Sequence, residues 1–116
     1  MKFAMVIVEA EDERREMTQA EAEFNTLVRW WADLHSRVNV VASGKLAPKG
    51  TARTVSWRDQ VPIVTDGPFV EAKESVAGIL IVDLGTEAEA LELAKSWPAK
   101  AGFKIEVRAL RSSVSE

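Results

Sequence analysis

Residues 66–82 read DGPFVEAKESVAGILIV, a short charged loop followed directly by an apolar run. The run over residues 76–82 is typical of a buried strand. In the loop, Gly67 precedes a proline and is expected to be extended. Asp66 is expected either to cap a single helical turn that begins near Pro68, or to line a cleft as an acid, a base or a ligand anchor. Phe69 is expected to anchor the loop in the core.

Outward from this stretch, the chain alternates β-prone runs with two amphipathic segments. Capping boxes at residues 18–21 and 86–89 predict helices over residues 18–36 and 86–97, and Pro98 ends the second. Strands are predicted over residues 2–8, 38–42, 51–57, 61–65, 76–82 and 104–110. A turn at residues 58–60 makes a hairpin of the third and fourth strands, with Val55 and Trp57 on one face. This order predicts an α+β fold, ferredoxin-like βαββαβ with an extra hairpin.

Two of the predicted strands, residues 2–8 and 76–82, are apolar on both faces. In the strand over residues 76–82, one face is expected to carry Ala77, Ile79 and Ile81, and the other face Val76, Leu80 and Val82. An antiparallel sheet with one solvated face would alternate with polar residues instead. Because two helices cover only one face, we expect a second copy of the chain to cover the other about a twofold axis. The sequence therefore predicts a homodimer through the sheet face.

Length and composition exclude several classes of function. The 116 residues carry a net charge of −3 and fit one domain, residues 1–111, with a C-terminal tail over residues 112–116. Without a basic stripe or an apolar run of membrane-spanning length, we expect no nucleic-acid partner and no membrane association. The chain lacks cysteine, which suits the cytoplasm, and its single histidine leaves no common zinc set. No cofactor motif is present, so neither a metal nor a cofactor is predicted.

The loop and its surroundings resemble the DGPF branch of the YCII-related family. The matching features are Asp66-Gly67-Pro68-Phe69, the charges at positions 71, 73 and 74, Ala77-Gly78, and residues 1–3, 46–48, 89–90 and 105–108. The resemblance implies a dimeric α+β barrel, related in fold to small lactone isomerases and dehalogenases. Other members carry a histidine in the first helix that, with an aspartate, has been proposed as a catalytic dyad. Here the only histidine is His35, close to the end of that helix.

Six residues are candidates for a site. Asp66 and His35 are the candidate catalytic residues, and the candidate ligand-binding residues are Phe69, Glu71, Lys73 and Trp30. Each also has a structural interpretation. His35 belongs to the apolar stripe of the first helix, near the C-terminal end of that helix, and its ring is expected at the margin of the core. Trp30 lies beside that stripe and can pack, contact a subunit or line a pocket. The stripe comprises Ala20, Phe24, Leu27, Val28, Trp31, Leu34 and His35.

Two functions from different classes fit these features. The first is a small-molecule-binding or regulatory module without turnover, because no nucleophile or metal set is recognisable. The alternative is a lyase- or isomerase-like enzyme acting on a small anionic or lactone-like compound. In that enzyme Asp66 moves a proton, and Lys73 or an arginine holds the carboxylate. The two hypotheses differ in whether Asp66 lines an enclosed cleft near His35.

Overall fold

The computed structural model describes residues 1–10, 17–68, 74–98 and 102–111. In the first helix, it describes the backbone from residue 17 and the side chains from residue 25 onward. Its elements are β1 (Lys2–Ala10), α1 (Met17–Arg37), β2 (Asn39–Lys45), β3 (Arg53–Arg58), β4 (Val61–Asp66), β5 (Glu74–Asp83), α2 (Glu87–Lys95) and β6 (Phe103–Ala109). A short 3-10 turn, Lys49–Thr51, precedes β3. The predicted α+β order, including the extra hairpin, is confirmed.

The main sheet is antiparallel and has the strand order β2-β5-β1-β6. When the hairpin is left out, this is the arrangement of a ferredoxin-like fold, in which each helix connects strands that are not neighbours. The hairpin, β3 with β4, forms a separate two-stranded sheet. It leaves the main sheet where β2 ends and returns where β5 begins.

Both helices pack on the same face of the main sheet. The buried core of this layer consists of Phe3 and Met5 from β1, Leu80 and Val82 from β5, Leu34 from α1, and Ala90 and Leu93 from α2. The helix α2 begins as its capping box predicts, because the Glu89 amide donates to the Thr86 hydroxyl over 3.2 Å. The Glu89 carboxylate in turn accepts from the Gly85 amide at 3.4 Å.

The buried face of α1 is rotated from the predicted stripe. Leu27, Trp30 and Trp31 pack against the core together with the buried Leu34, whereas Val28 and His35 are exposed. The packed positions follow the i, i+3, i+4, i+7 spacing of one helix face. The sequence pattern alone did not separate this face from its neighbour, because apolar residues occupy both edges of the stripe.

An irregularity in β5 changes which of its residues face the helices. Ile7 pairs with Gly78 but Val8 pairs with Val76, so Ala77 has no residue opposite it. Such a bulge reverses the alternation of side chains beyond it. As a result Ala77 packs on the helix side with Ile7, and Val76 joins the opposite face. The prediction that grouped Val76 with Leu80 and Val82 is therefore wrong.

The face of the main sheet that points away from the helices is called the outer face. Its central residues, identified by their pairing across β1 and β5, are Ala4, Val6, Val8, Val76, Ile79 and Ile81. All six are apolar, and Val76 and Ile79 are exposed. The expectation that both faces of these strands are hydrophobic is confirmed by this arrangement.

Candidate functional site

Asp66 is the last residue of β4 and lies opposite Arg53 at the root of the hairpin. Its Oδ1 atom is 3.3 Å from the Arg53 Nε atom, and both side chains are largely exposed, at 87% and 73%. Asp66 is thus part of a strand end with a cationic neighbour. The amides of residues 69 and 70, which its predicted cap would use, lie outside the described residues. An ion pair this exposed contributes little to stability.

Gly67 directs the chain away from β4. Its φ is +92°, so the expected extended conformation is wrong. Two hydrogen bonds explain the geometry: the Gly67 amide donates to the Ala52 carbonyl at 2.7 Å, and the Thr54 hydroxyl donates to the Gly67 carbonyl at 2.7 Å. Both bonds close the hairpin root, and glycine reaches the required φ without the steric penalty of a Cβ.

His35 lies in the last turn of α1 and is exposed, not in the margin of the core. Its Nδ1 atom is 2.8 Å from the Trp31 carbonyl oxygen. Because a carbonyl only accepts, Nδ1 carries the proton in this bond, and in the neutral ring Nε2 is left as the acceptor. The His35 ring also lies 5.7 Å from the Trp31 ring.

The structure does not bring Asp66 and His35 together through any direct contact. Among the described residues, Asp66 pairs with Arg53 on the hairpin, while His35 bonds to Trp31 within α1. The described geometry therefore supplies no acid–base pair. Phe69, Glu71 and Lys73 lie outside the described residues.

Trp30 belongs to an aromatic cluster between α1, the end of α2 and the sheet. Its Nε1 donates to the Ser96 hydroxyl at 2.9 Å. Its ring meets Trp97 edge to face at 5.2 Å and lies 5.6 Å from Trp31. Phe103 extends the cluster on the far side of Trp97, at 5.7 Å. These contacts give Trp30 a packing role.

Trp97 is a feature that the sequence did not single out. Its side chain is 8% exposed, and its indole N–H is buried without a hydrogen-bond partner in the described part of the chain. An unsatisfied buried donor typically costs about 1–3 kcal/mol. An acceptor that reached this N–H would recover that free energy. No sequence pattern reports whether an indole N–H finds an acceptor, because the acceptor comes from elsewhere in the fold.

The described residues contain no group of three histidine, aspartate or glutamate side chains that could hold a metal ion. Their helices, α1 included, are too short or too polar to cross a membrane.

The chain was compared with known proteins. The model of the YCII-related domain matches residues 1–111, which include every strand and helix described above. None of the curated proteins matches the chain significantly. The match covers nearly the whole chain and agrees with the ferredoxin-like topology, so this protein belongs to the YCII-related family.

Proposed function

We propose that this protein is a small-molecule-binding or regulatory module that takes a small anionic ligand and does not turn it over. The observation that carries the proposal is the Arg53–Asp66 pair at the root of the hairpin. The contact with Asp66 uses the Nε edge of the Arg53 guanidinium. Among the described residues, the two terminal nitrogens of Arg53 have no hydrogen-bond or ion-pair partner, and a guanidinium fork of this kind binds carboxylates in a bidentate manner.

The same observation argues against turnover. General acid–base catalysis works best when the reacting group is enclosed and matched to a partner. Asp66 is open to water and lies next to a cation, and His35 is exposed on another element. A ligand anchor needs neither enclosure nor a second titrating group. We also propose that the protein acts in the cytoplasm, which suits a chain without cysteine.

The alternative function is a lyase- or isomerase-like enzyme for a small anionic or lactone-like compound. The adjacency of Arg53 and Asp66 favours it, because a carboxylate held by Arg53 would lie beside a group able to accept a proton. Lys73, seven positions after Asp66 in the sequence, would be a second anchor for the anion.

Ligand-induced stabilisation tests the binding proposal. Wild-type protein is screened by thermal shift against a panel of small carboxylates and lactones, and a ligand at 100 times its Kd should stabilise it by about 2.7 kcal/mol. Arg53→Gln should lose at least about tenfold in affinity. Arg58→Gln is the matched control, since Arg58 is an exposed arginine on the same strand but lies opposite Val61. If no compound at millimolar concentration stabilises the wild type, the proposal is wrong.

Turnover is tested on the same samples by proton NMR. Under the binding proposal, each stabilising compound remains chemically unchanged after prolonged incubation. If a compound is converted by the wild type, and Asp66→Asn binds it without converting it, the enzyme alternative is correct.

A further inference from the structure

The hairpin of β3 and β4, residues 53–66, is called the arm. Within the described residues it forms its own sheet, and its strands pair only with each other. Its root is closed by the hydrogen bonds between Gly67 and the residues Ala52 and Thr54. Among the described residues, its outer end has no sheet to join.

One side of the arm is apolar. Residues directly opposite each other on paired strands share a face, and the register places Val55 opposite Val64 and Trp57 opposite Pro62. We call these four residues the apolar face of the arm. Trp57 is 68% exposed and Val64 is 60% exposed. The reverse side carries Thr54, Ser56, Arg58, Val61, Ile63 and Thr65 and is more polar.

A hairpin of this kind lacks the means to stabilise itself. An isolated two-stranded hairpin is at best marginally stable in water, and strands gain independent stability when a hydrophobic face is packed on something. Exposed apolar patches often mark interaction sites, and tryptophan is enriched at such sites relative to the rest of the protein surface. We therefore expect the apolar face of the arm to pack against a partner.

The shape of the molecule agrees with a missing partner. The described fold measures 47 × 44 × 18 Å and has a radius of gyration of 16.5 Å, whereas about 13 Å is expected for a compact chain of this length. Such a slab leaves the apolar centre of the outer face and the apolar face of the arm uncovered on one chain. Identical copies related by a twofold axis would each offer both surfaces to the other.

Area supports this arrangement. Four strands of seven to ten residues give the outer face a flat area of about 500 Å², from the usual rise and spacing of strands. A stable interface buries about 800 Å² on each partner. The arm adds about 200 Å² by the same geometry. A twofold contact through the outer face alone therefore reaches only the lower bound of about 1,000 Å² in total for a specific interface, and the arm brings the area closer to the usual size.

The charge of the arm favours a second copy of the chain as the partner, rather than a nucleic acid or an anionic membrane. The charged residues on the arm's apolar side are Arg53 and Asp66, which pair with each other. This side of the arm therefore adds no net charge to a contact with a second copy. It also lacks the excess of basic residues that binding to phosphate groups requires.

We propose that the arm lays its apolar face, Val55, Trp57, Pro62 and Val64, on a second copy of this chain. It goes beyond the predicted homodimer through the outer face, because it adds the arm as a separate contact between the copies. It places Arg53, on the same side of the arm, at the boundary between the subunits. The anionic ligand would then bind where both copies meet.

Matched arm variants test this inference by sedimentation equilibrium. Val64→Asp places a charge on the apolar face, and it should weaken dimerisation at least about tenfold. Val61→Asp is the control, because Val61 lies on the same strand and is 61% exposed, but belongs to the reverse side. It should change the dimer Kd by less than about threefold. Both sites are exposed in the single chain, so both variants should fold.

A third variant, Ile79→Asp on the outer face, separates the arm from the sheet contact. If it dissociates the dimer and Val64→Asp does not, the arm inference is wrong and the sheet-face dimer stands. If Val64→Asp dissociates the dimer and Ile79→Asp does not, the arm inference stands and the sheet-face dimer is wrong. If the wild type is monomeric at 100 µM, a concentration chosen roughly to exceed the Kd of a micromolar dimer, both are wrong.

Fluorescence quenching reports on the arm directly. The chain has four tryptophans, and Trp57 lies apart from the cluster of Trp30, Trp31 and Trp97. Subtracting the signal of Trp57→Phe isolates Trp57. Iodide should quench Trp57 in the monomeric Ile79→Asp variant and not in the wild-type dimer. If Trp57 is shielded equally in the monomer, the arm lies on its own chain and the inference is overturned.

Discussion

Replacing Gly67 by alanine tests whether the hairpin root has the backbone conformation described here. Gly67 has a φ of +92°, and a Cβ built on it meets no atom within 4 Å. The penalty is therefore one of backbone strain alone, about 1–2 kcal/mol for an L-residue in the left-handed region. Alanine also restricts the unfolded chain, which offsets about 0.4–1 kcal/mol. Because this φ lies beyond the usual left-handed well, we expect a net loss of about 1 kcal/mol.

The assay is thermal unfolding followed by circular dichroism, with hydrogen exchange of the arm amides as a local readout. For 116 residues, the unfolding entropy is about 0.24 kcal/mol/K, so a loss of about 1 kcal/mol lowers Tm by about 4 °C. Gly50→Ala is the control, because its Cβ also meets open space and its φ is not positive. It should be neutral or raise stability by up to about 1 kcal/mol. Equal Tm and equal arm exchange in the two variants would refute the reasoning.

Three other substitutions have defined outcomes. Gly78→Ala should lower the free energy of unfolding by about 1–3 kcal/mol, because its Cβ would lie 3.0 Å from the Gly44 carbonyl oxygen of β2; an unchanged urea midpoint would contradict this contact. Asp66→Asn should change stability by less than about 0.5 kcal/mol, since its pair with Arg53 is exposed, and a loss above about 2 kcal/mol would show a buried role. Phe69→Ala should lower stability by about 3–5 kcal/mol if the ring anchors its loop in the core, and a loss under about 1 kcal/mol would identify an accessible side chain.

Local patterns predicted the elements whose signals lie within a few residues. The Thr86–Glu89 capping box appears in the structure as the expected bond between the Glu89 amide and the Thr86 hydroxyl. The alternation of β3 correctly placed Val55 and Trp57 on one face. Strand ends were less predictable. β2 continues to Lys45, through Ser43 and Gly44, because pairing with β5 imposes the extended conformation on residues of low β propensity.

The candidate site was predicted less completely than the fold. The sequence identified Asp66 as a polar residue at a turn, but its neighbour Arg53 is 13 positions earlier in the chain and meets it only through the hairpin register. Trp30 was placed beside the core stripe of α1, and its contact with Ser96 depends on how the two helices lie on the sheet. The indole N–H of Trp97, which has no partner in the described part of the chain, has no local signature at all.

By itself, the sequence determined the order of strands and helices, the apolar character of both faces of β1 and β5, and the family signature, because periodicity, capping and turn chemistry act over a few neighbouring residues. Only the tertiary structure decided the bulge at Ala77, the positive φ of Gly67 and the exposure of the arm. Each of these depends on hydrogen bonds or packing between segments distant in sequence. Such contacts exist only once the main sheet has formed.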